Sequence, residues 1–432
     1  MNVEIEKEQL IFCAPVNEYT RQWGVYCIPR MWRLPNGNLA IYFNGMADSP
    51  EAVALKQKAC PDMFFISTDN GESWVRSDGS DIDLGVLGNV DSPYCSLSDG
   101  KVICIREKEG LLPVHDCVAR KTFYPPFNGG GAHHTYRLAD LPFDVFACEL
   151  LTYNEKGNLI LREDVSIDFP ERELLTVGEI PRDGGFVACP EWIKAGEWCA
   201  PYIASLKMMA DGVLCGTCCG QNPNVKDRYC GETYFMVSHD GGRTWKKRSC
   251  ITRSSANYTF GLSGDGYESS LAVNNKGKLY FVARTDMSID HTKLGGGADP
   301  AFFVSEDNGY TWSEERFIAD SSVTPHVLTF GDETVVVIYG RPGVHMIYSE
   351  DGGKTFSAPV SIIGKTLTEE MSLGKTYMQA KYSSADSYSN TFVEKISDNS
   401  FLILYTDLKY DNGDGSLHKA GLVKKITLQQ AK

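Results

Sequence analysis

The chain has 432 residues, enough for two to four ordinary domains or for one large β-architecture. Its 42% apolar and 23% charged residues exclude a disordered chain, and 11% aromatics with 41 glycines favour strands and tight turns over helices. A formal net charge of −14 argues against nucleic acid or an anionic membrane surface as partner, although a local arginine cluster can still receive an anionic substrate.

The start, Met1-Asn-Val-Glu-Ile-Glu-Lys-Glu-Gln-Leu10, carries charges where a secretory signal needs an apolar run, and no stretch reaches the length of a membrane-spanning helix. A cytoplasmic protein is the expectation, or a secreted or periplasmic one if a signal has been removed, with no membrane insertion. Two kinds of turn then recur along the chain. One precedes an apolar strand: Asn36-Gly37-Asn-Leu-Ala-Ile-Tyr-Phe43, Asp99-Gly100-Lys-Val-Ile-Cys-Ile105, Asp211-Gly212-Val-Leu-Cys-Gly216, Lys276-Gly277-Lys-Leu-Tyr-Phe-Val282, Asp332 to Tyr339 and Asp398 to Tyr405. These starts lie 55 to 66 residues apart, except for one gap of 112. The long gap predicts an insertion or a degenerate unit within about 107–200, a region that carries Phe123 to Phe127, a triple glycine, and His133-His134.

The other turn has the form S-x-D-x-G-x-[ST]-[WF]. It occurs at Ser67–Trp74, Ser238–Trp245, Ser305–Trp312 and Ser349–Phe356. Its Asp accepts turn amides, its Gly takes positive φ, and its aromatic ring closes over the turn, so each copy reads as a hairpin joining two strands. A structural turn is favoured over a ligand or calcium site. Between the first and second copies lies Cys215-Gly-Thr-Cys218-Cys219, whose CxxC has no second pair at zinc spacing. On a strand its cysteines point to opposite faces, so free or buried thiols are expected rather than a metal site, as suits a reduced compartment for the 14 cysteines. Six β-units of near-regular length predict one all-β domain over 1–432: a six-bladed β-propeller of four-stranded antiparallel blades.

The four boxes on six units resemble the sialidase superfamily, the BNR or Asp-box proteins. That resemblance covers most of the chain and is poor across 107–200. It implies a retaining exo-glycosidase without cofactor or metal, releasing a terminal acidic sugar such as sialic acid or a related 2-keto-3-deoxy sugar. It also implies a site of three arginines, a tyrosine nucleophile, a glutamate and an aspartate acid/base. The chemistry is coherent: a carboxylate on the anomeric carbon repels an anionic nucleophile, so a neutral phenol activated by a neighbouring Glu suits it better. Guanidinium matches carboxylate geometry.

By the same resemblance, Gly266-Tyr-Glu268 and the strand that ends at Arg284 correspond to the family's glutamate and second arginine. Tyr339-Gly-Arg341 corresponds to the third arginine, and Asp386-Ser-Tyr388 to the nucleophile. Asp48 stands where the acid/base belongs, with Glu51 and Asp62 as alternatives. One position departs: in Cys27-Ile-Pro29-Arg30, cysteine occupies the place of the first arginine. Either a kink at Pro29 re-aims Arg30, or Arg106 supplies the missing guanidinium, or the substrate is not an ordinary sialic acid. His326 begins the fifth inner strand and is a further channel residue, while His133 and His134 fall on the inserted region. Two other readings remain: a hydrolase or lyase for another carbohydrate, and a non-catalytic glycan-binding or scaffold propeller.

Overall fold

A computed structural model describes the chain outside residues 23, 48–57, 81, 83–90, 108–110, 114–116, 124–132, 142–147, 178, 183–184, 189–191, 195–202, 222–230, 254–267, 286–298, 321–322, 377–378, 381–387 and 430–432. Among the described residues, antiparallel pairing builds six units. Unit one runs Pro29–Arg33, Leu39–Phe43, Met63–Ser67 and Val75–Ser77, from inner to outer strand. Unit two runs Tyr94–Ser96, Val102–Glu107, Cys148–Tyr153 and Leu159–Asp168, and unit three Ala204–Met208, Leu214–Gln221, Gly231–Ser238 and Thr244–Arg253. Unit four holds Ser269–Val273, Leu279–Ala283, Ala301–Ser305 and Arg316–Phe317, and unit five Val323–Phe330, Thr334–Gly340, Val344–Ser349 and Val360–Ile363.

Unit six takes Tyr388–Lys395, Ser400–Asp411 and Leu417–Gln429 from the end of the chain. Its outer place is filled from the beginning: Asn2–Ile5 and Gln9–Pro15 both pair with Leu417–Gln429. The ring is thereby latched by strands from both ends of the sequence.

Each inter-unit space holds its own apolar cluster. Phe43, Phe65 and Leu404 pack between units one and six, and Trp32, Tyr42 and Tyr94 between one and two. Trp245 and Leu150 lie between two and three, Phe235 and Phe281 between three and four, Phe302 and Val337 between four and five, and Ile338 and Ile403 between five and six. Most second strands are buried on both faces, which is why they read as continuous apolar runs. Cys215 and Cys218 enter different clusters on opposite faces of their strand, as alternation requires.

The boxes join third to outer strands in units one, three, four and five. In each, the serine hydroxyl donates to the aspartate, at 2.7 to 2.9 Å, and accepts the amide of the box glycine. The 107–200 interval contains the third and outer strands of unit two. Extra strands lie before and after them: Lys121–Phe123, His133–Arg137 and Glu173–Val177 pair in that order and join unit three through Glu173 opposite Gln221, and Leu111–Pro113 pairs with Trp192–Lys194. Both extra stretches leave and re-enter the units where second strands end and inner strands begin. By the antiparallel order this is the face on which Ser269, Val323 and Tyr388 start their strands. Among the described residues no helix is long and apolar enough to cross a membrane.

Candidate active site

Glu268 and Arg284 flank one hairpin. Its turn, Asn274–Lys278, closes on a positive-φ Gly277, and Ser269 pairs with Ala283. The next residues out, Glu268 and Arg284, are therefore opposite each other, and the Arg284 amide donates to the Glu268 carbonyl at 3.0 Å. Side chains opposite each other in an antiparallel pair share a face. Arg284 Nη1 accordingly donates to Glu268 Oε1 at 2.7 Å, with the two side chains 14% and 22% exposed.

The second carboxylate oxygen is held from the neighbouring unit. The Thr324 amide donates to Glu268 Oε2 at 2.9 Å. Thr324 lies in a bulge of the unit-five inner strand, where the register slips between Val323 and His326. Burial alone would raise the Glu268 carboxyl, but the Arg284 ion pair and hydrogen bond, the Thr324 amide and the charge of Arg341 outweigh it, and the group sits below its ordinary value. Glu268 is thus ionised at neutral pH. Arg341, just past the unit-five second strand, is buried and takes φ +66°.

Beneath this mouth the inner strands place charge along the channel. Asp91, ahead of the unit-two inner strand, accepts the Ser270 hydroxyl at 2.9 Å and the Leu271 amide at 3.0 Å from unit four. Lys207 of unit three approaches Asp91 at 3.8 Å, and His326 Nδ1 of unit five lies 4.0 Å from it. His326 Nε2 donates to the Thr391 carbonyl at 2.6 Å, and burial holds the imidazole below its ordinary value against the pull of Asp91. Glu394 of unit six lies 3.5 Å from Arg33, yet its burial raises the carboxyl to about 7.

The other expected residues lie as follows. Arg30 is on the unit-one inner strand, its guanidinium 4.8 Å from the Phe392 ring centre and Nη1 donating to the Pro29 carbonyl. Arg106 faces Glu149 across the unit-two ladder, with Nε donating at 3.0 Å, and Glu149 also accepts Arg162, so these contacts run outward from the channel. Cys27 is buried against Lys419, whose ammonium donates to its thiol at 3.4 Å and to the Gln22 and Val25 carbonyls. Burial raises the thiol despite Lys419 and Arg341.

Tyr388 begins the unit-six inner strand opposite Thr406. Its side chain, and Asp48 and Glu51 entirely, lie outside the described residues. Asp62 accepts the Gly45 amide at 3.0 Å and pairs with Lys58. His133 and His134 belong to the extra strands, where Thr122 meets His134 Nδ1 at 2.9 Å. Among the described residues no three His, Cys, Asp or Glu side chains converge as metal ligands.

Sequence reasoning missed Asp91, Lys207, Glu394, Lys419 and the Thr324 amide. Asp91 shares with Glu268 the place just ahead of an inner strand, and that was the available signal. The Thr324 amide had none, because a backbone group carries no residue type.

Comparison with known proteins agrees with this architecture. The sequence pattern of the BNR repeat-like domain matches residues 209–387. That stretch includes the boxes of units three, four and five. The chain resembles the BNR-repeat propellers over that span. A protein of unknown function from Dyadobacter fermentans shares the fold, with TM-score 0.55, 15% identity and 99% of each chain covered. The NanB sialidase of Streptococcus pneumoniae superposes with TM-score 0.45 and 15% identity over 96% of this chain and 70% of that one. An alpha-L-arabinanase of Penicillium chrysogenum gives 0.44 and 11% over 97% and 98%. No curated protein matches the sequence. Likeness of this kind describes the fold; activity has to be argued from the site.

Proposed function

We propose that the protein is a glycoside hydrolase of sialidase type, releasing a terminal acidic sugar from a glycan with retention of configuration. The observation that carries this reading is the ionised Glu268, gripped by Arg284 and the Thr324 amide, with the charge of Arg341 beside it. Tyr388 starts its strand on the same face of the ring. In this reading Glu268 takes the phenol proton as the Tyr388 oxygen attacks the anomeric carbon, and Asp48 protonates the departing oxygen. A water, deprotonated by Asp48, then attacks the anomeric carbon, and the departing Tyr388 oxygen takes its proton back from Glu268. Arg284 and Arg341 hold the substrate carboxylate, with Arg30 rather than the Glu149-bound Arg106 as the candidate for a third contact and His326 lining the channel below.

Cys27 with Lys419 in the first-arginine position favours a second reading, a hydrolase acting on a different carbohydrate, because all three described contacts of that ammonium are already within the protein. A panel of acidic and neutral aryl glycosides separates the two. Preferential cleavage of a 2-keto-3-deoxy acid glycoside, abolished in Tyr388→Phe, is expected. Hydrolysis confined to neutral glycosides, or a fully active Tyr388→Phe, overturns the acidic-sugar reading.

A further inference from the structure

Thr324 collects three locally unfavourable features. Its φ is +48°, a region where a β-branched residue is an outlier. It precedes Pro325, and the residue before proline is pushed towards extended backbone. Its hydroxyl is buried without a hydrogen-bond partner, in a residue only 1% exposed. Left-handed backbone at Thr324 directs the residue's amide out of the unit-five ladder and onto Glu268 Oε2.

The surroundings hold it there. The Thr391 hydroxyl of unit six donates to the Thr324 carbonyl at 3.5 Å, and His326 fixes Thr391 through its carbonyl. The Val327 amide donates to the Ser270 hydroxyl at 3.1 Å, and Ser270 in turn donates to Asp91. Units two, four, five and six thus determine one strained residue together, the situation in which such strain survives.

We propose that Thr324 is a positioning residue for Glu268: the bulge exists to aim a fixed amide at the carboxylate, which keeps that carboxylate ionised and oriented. This rests on the reading of Glu268 as the base of the reaction. The charged side chains that face Glu268 are Arg284 and Arg341, and both remain in the variants below.

Two changes test it. Thr324→Gly keeps the amide, takes positive φ without strain and removes the unpartnered hydroxyl. Its melting midpoint should stay level or rise by about 1–2 °C, with the acid limb of the pH–rate profile unmoved. Replacing Thr324 by its α-hydroxy acid analogue converts that one amide into an ester and removes only the N–H. The acid limb should then move up by about one pH unit, because a charge-assisted hydrogen bond to the ionised form is lost. A destabilised Thr324→Gly, or an ester variant with an unmoved acid limb, overturns the proposal. The Glu268 carboxyl can also be titrated directly, by 13C resonance difference between the wild type and Glu268→Gln. Should the wild type cleave no glycoside, the proposed activity fails, and the titration of the ester variant still decides the role of Thr324.

Discussion

Replacing Glu268 by Gln tests the site most directly, because it changes charge and proton affinity with almost no change of shape. The side chain loses its ion pair with Arg284, a partner only 14% exposed. Removing one member of a buried pair costs about 3–5 kcal/mol, and partial exposure puts this case near 3. A chain of 432 residues has an unfolding entropy of roughly 0.9 kcal/mol per kelvin, so the melting midpoint should fall by about 3 °C at pH 7.

The pH dependence has a definite sign. The Glu268 carboxyl is held below its ordinary value, so the unfolded chain binds its proton more readily. The stabilisation is complete above the ordinary carboxylate value of about 4.3 and is lost as pH falls through the folded value. The gap in melting midpoint between wild type and variant should therefore close below about pH 4. Turnover on the best glycoside should drop by about 10²–10⁴-fold, the range for a lost general base. Scanning calorimetry from pH 3 to 8, alongside single-substrate kinetics, covers both. Equal melting at pH 7, or a gap that is the same at pH 3, would refute the ion pair. Unchanged turnover would refute the catalytic role alone.

Further outcomes follow from other parts of the molecule. Arg341→Lys keeps the charge and loses the planar fork, so affinity for an acidic sugar should weaken strongly while neutral analogues bind as before; isothermal titration with the free sugars measures this. Trp245→Ala removes a fully buried ring between units two and three and should cost about 3–5 kcal/mol, seen as a drop of about 3–5 °C, with turnover per folded molecule retained. Glu394, with its carboxyl raised to about 7, is stabilising while protonated and loses that contribution as pH rises towards and through 7. Glu394→Gln should therefore melt with the wild type at pH 5 and above it at pH 8; the opposite order would contradict the buried-acid reading.

What the sequence determined is what short-range chemistry repeats. The box serine, aspartate and glycine bond within one turn, and a double-sided apolar strand must sit in the middle of a sheet, so boxes and apolar runs reported the propeller without any long-range information. The Glu268–Arg284 pair was legible for the same reason, since one hairpin register sets them opposite each other. The tertiary structure alone decided contacts that cross units. Asp91 reaches a serine 179 residues away, and the amide on Glu268 comes from a bulge 56 residues on. The N-terminal strands find their partner at the other end of the chain. No local pattern encodes these meetings, because ring closure brings the six inner strands together, and a channel's electrostatics depend on which side chains face each other across it.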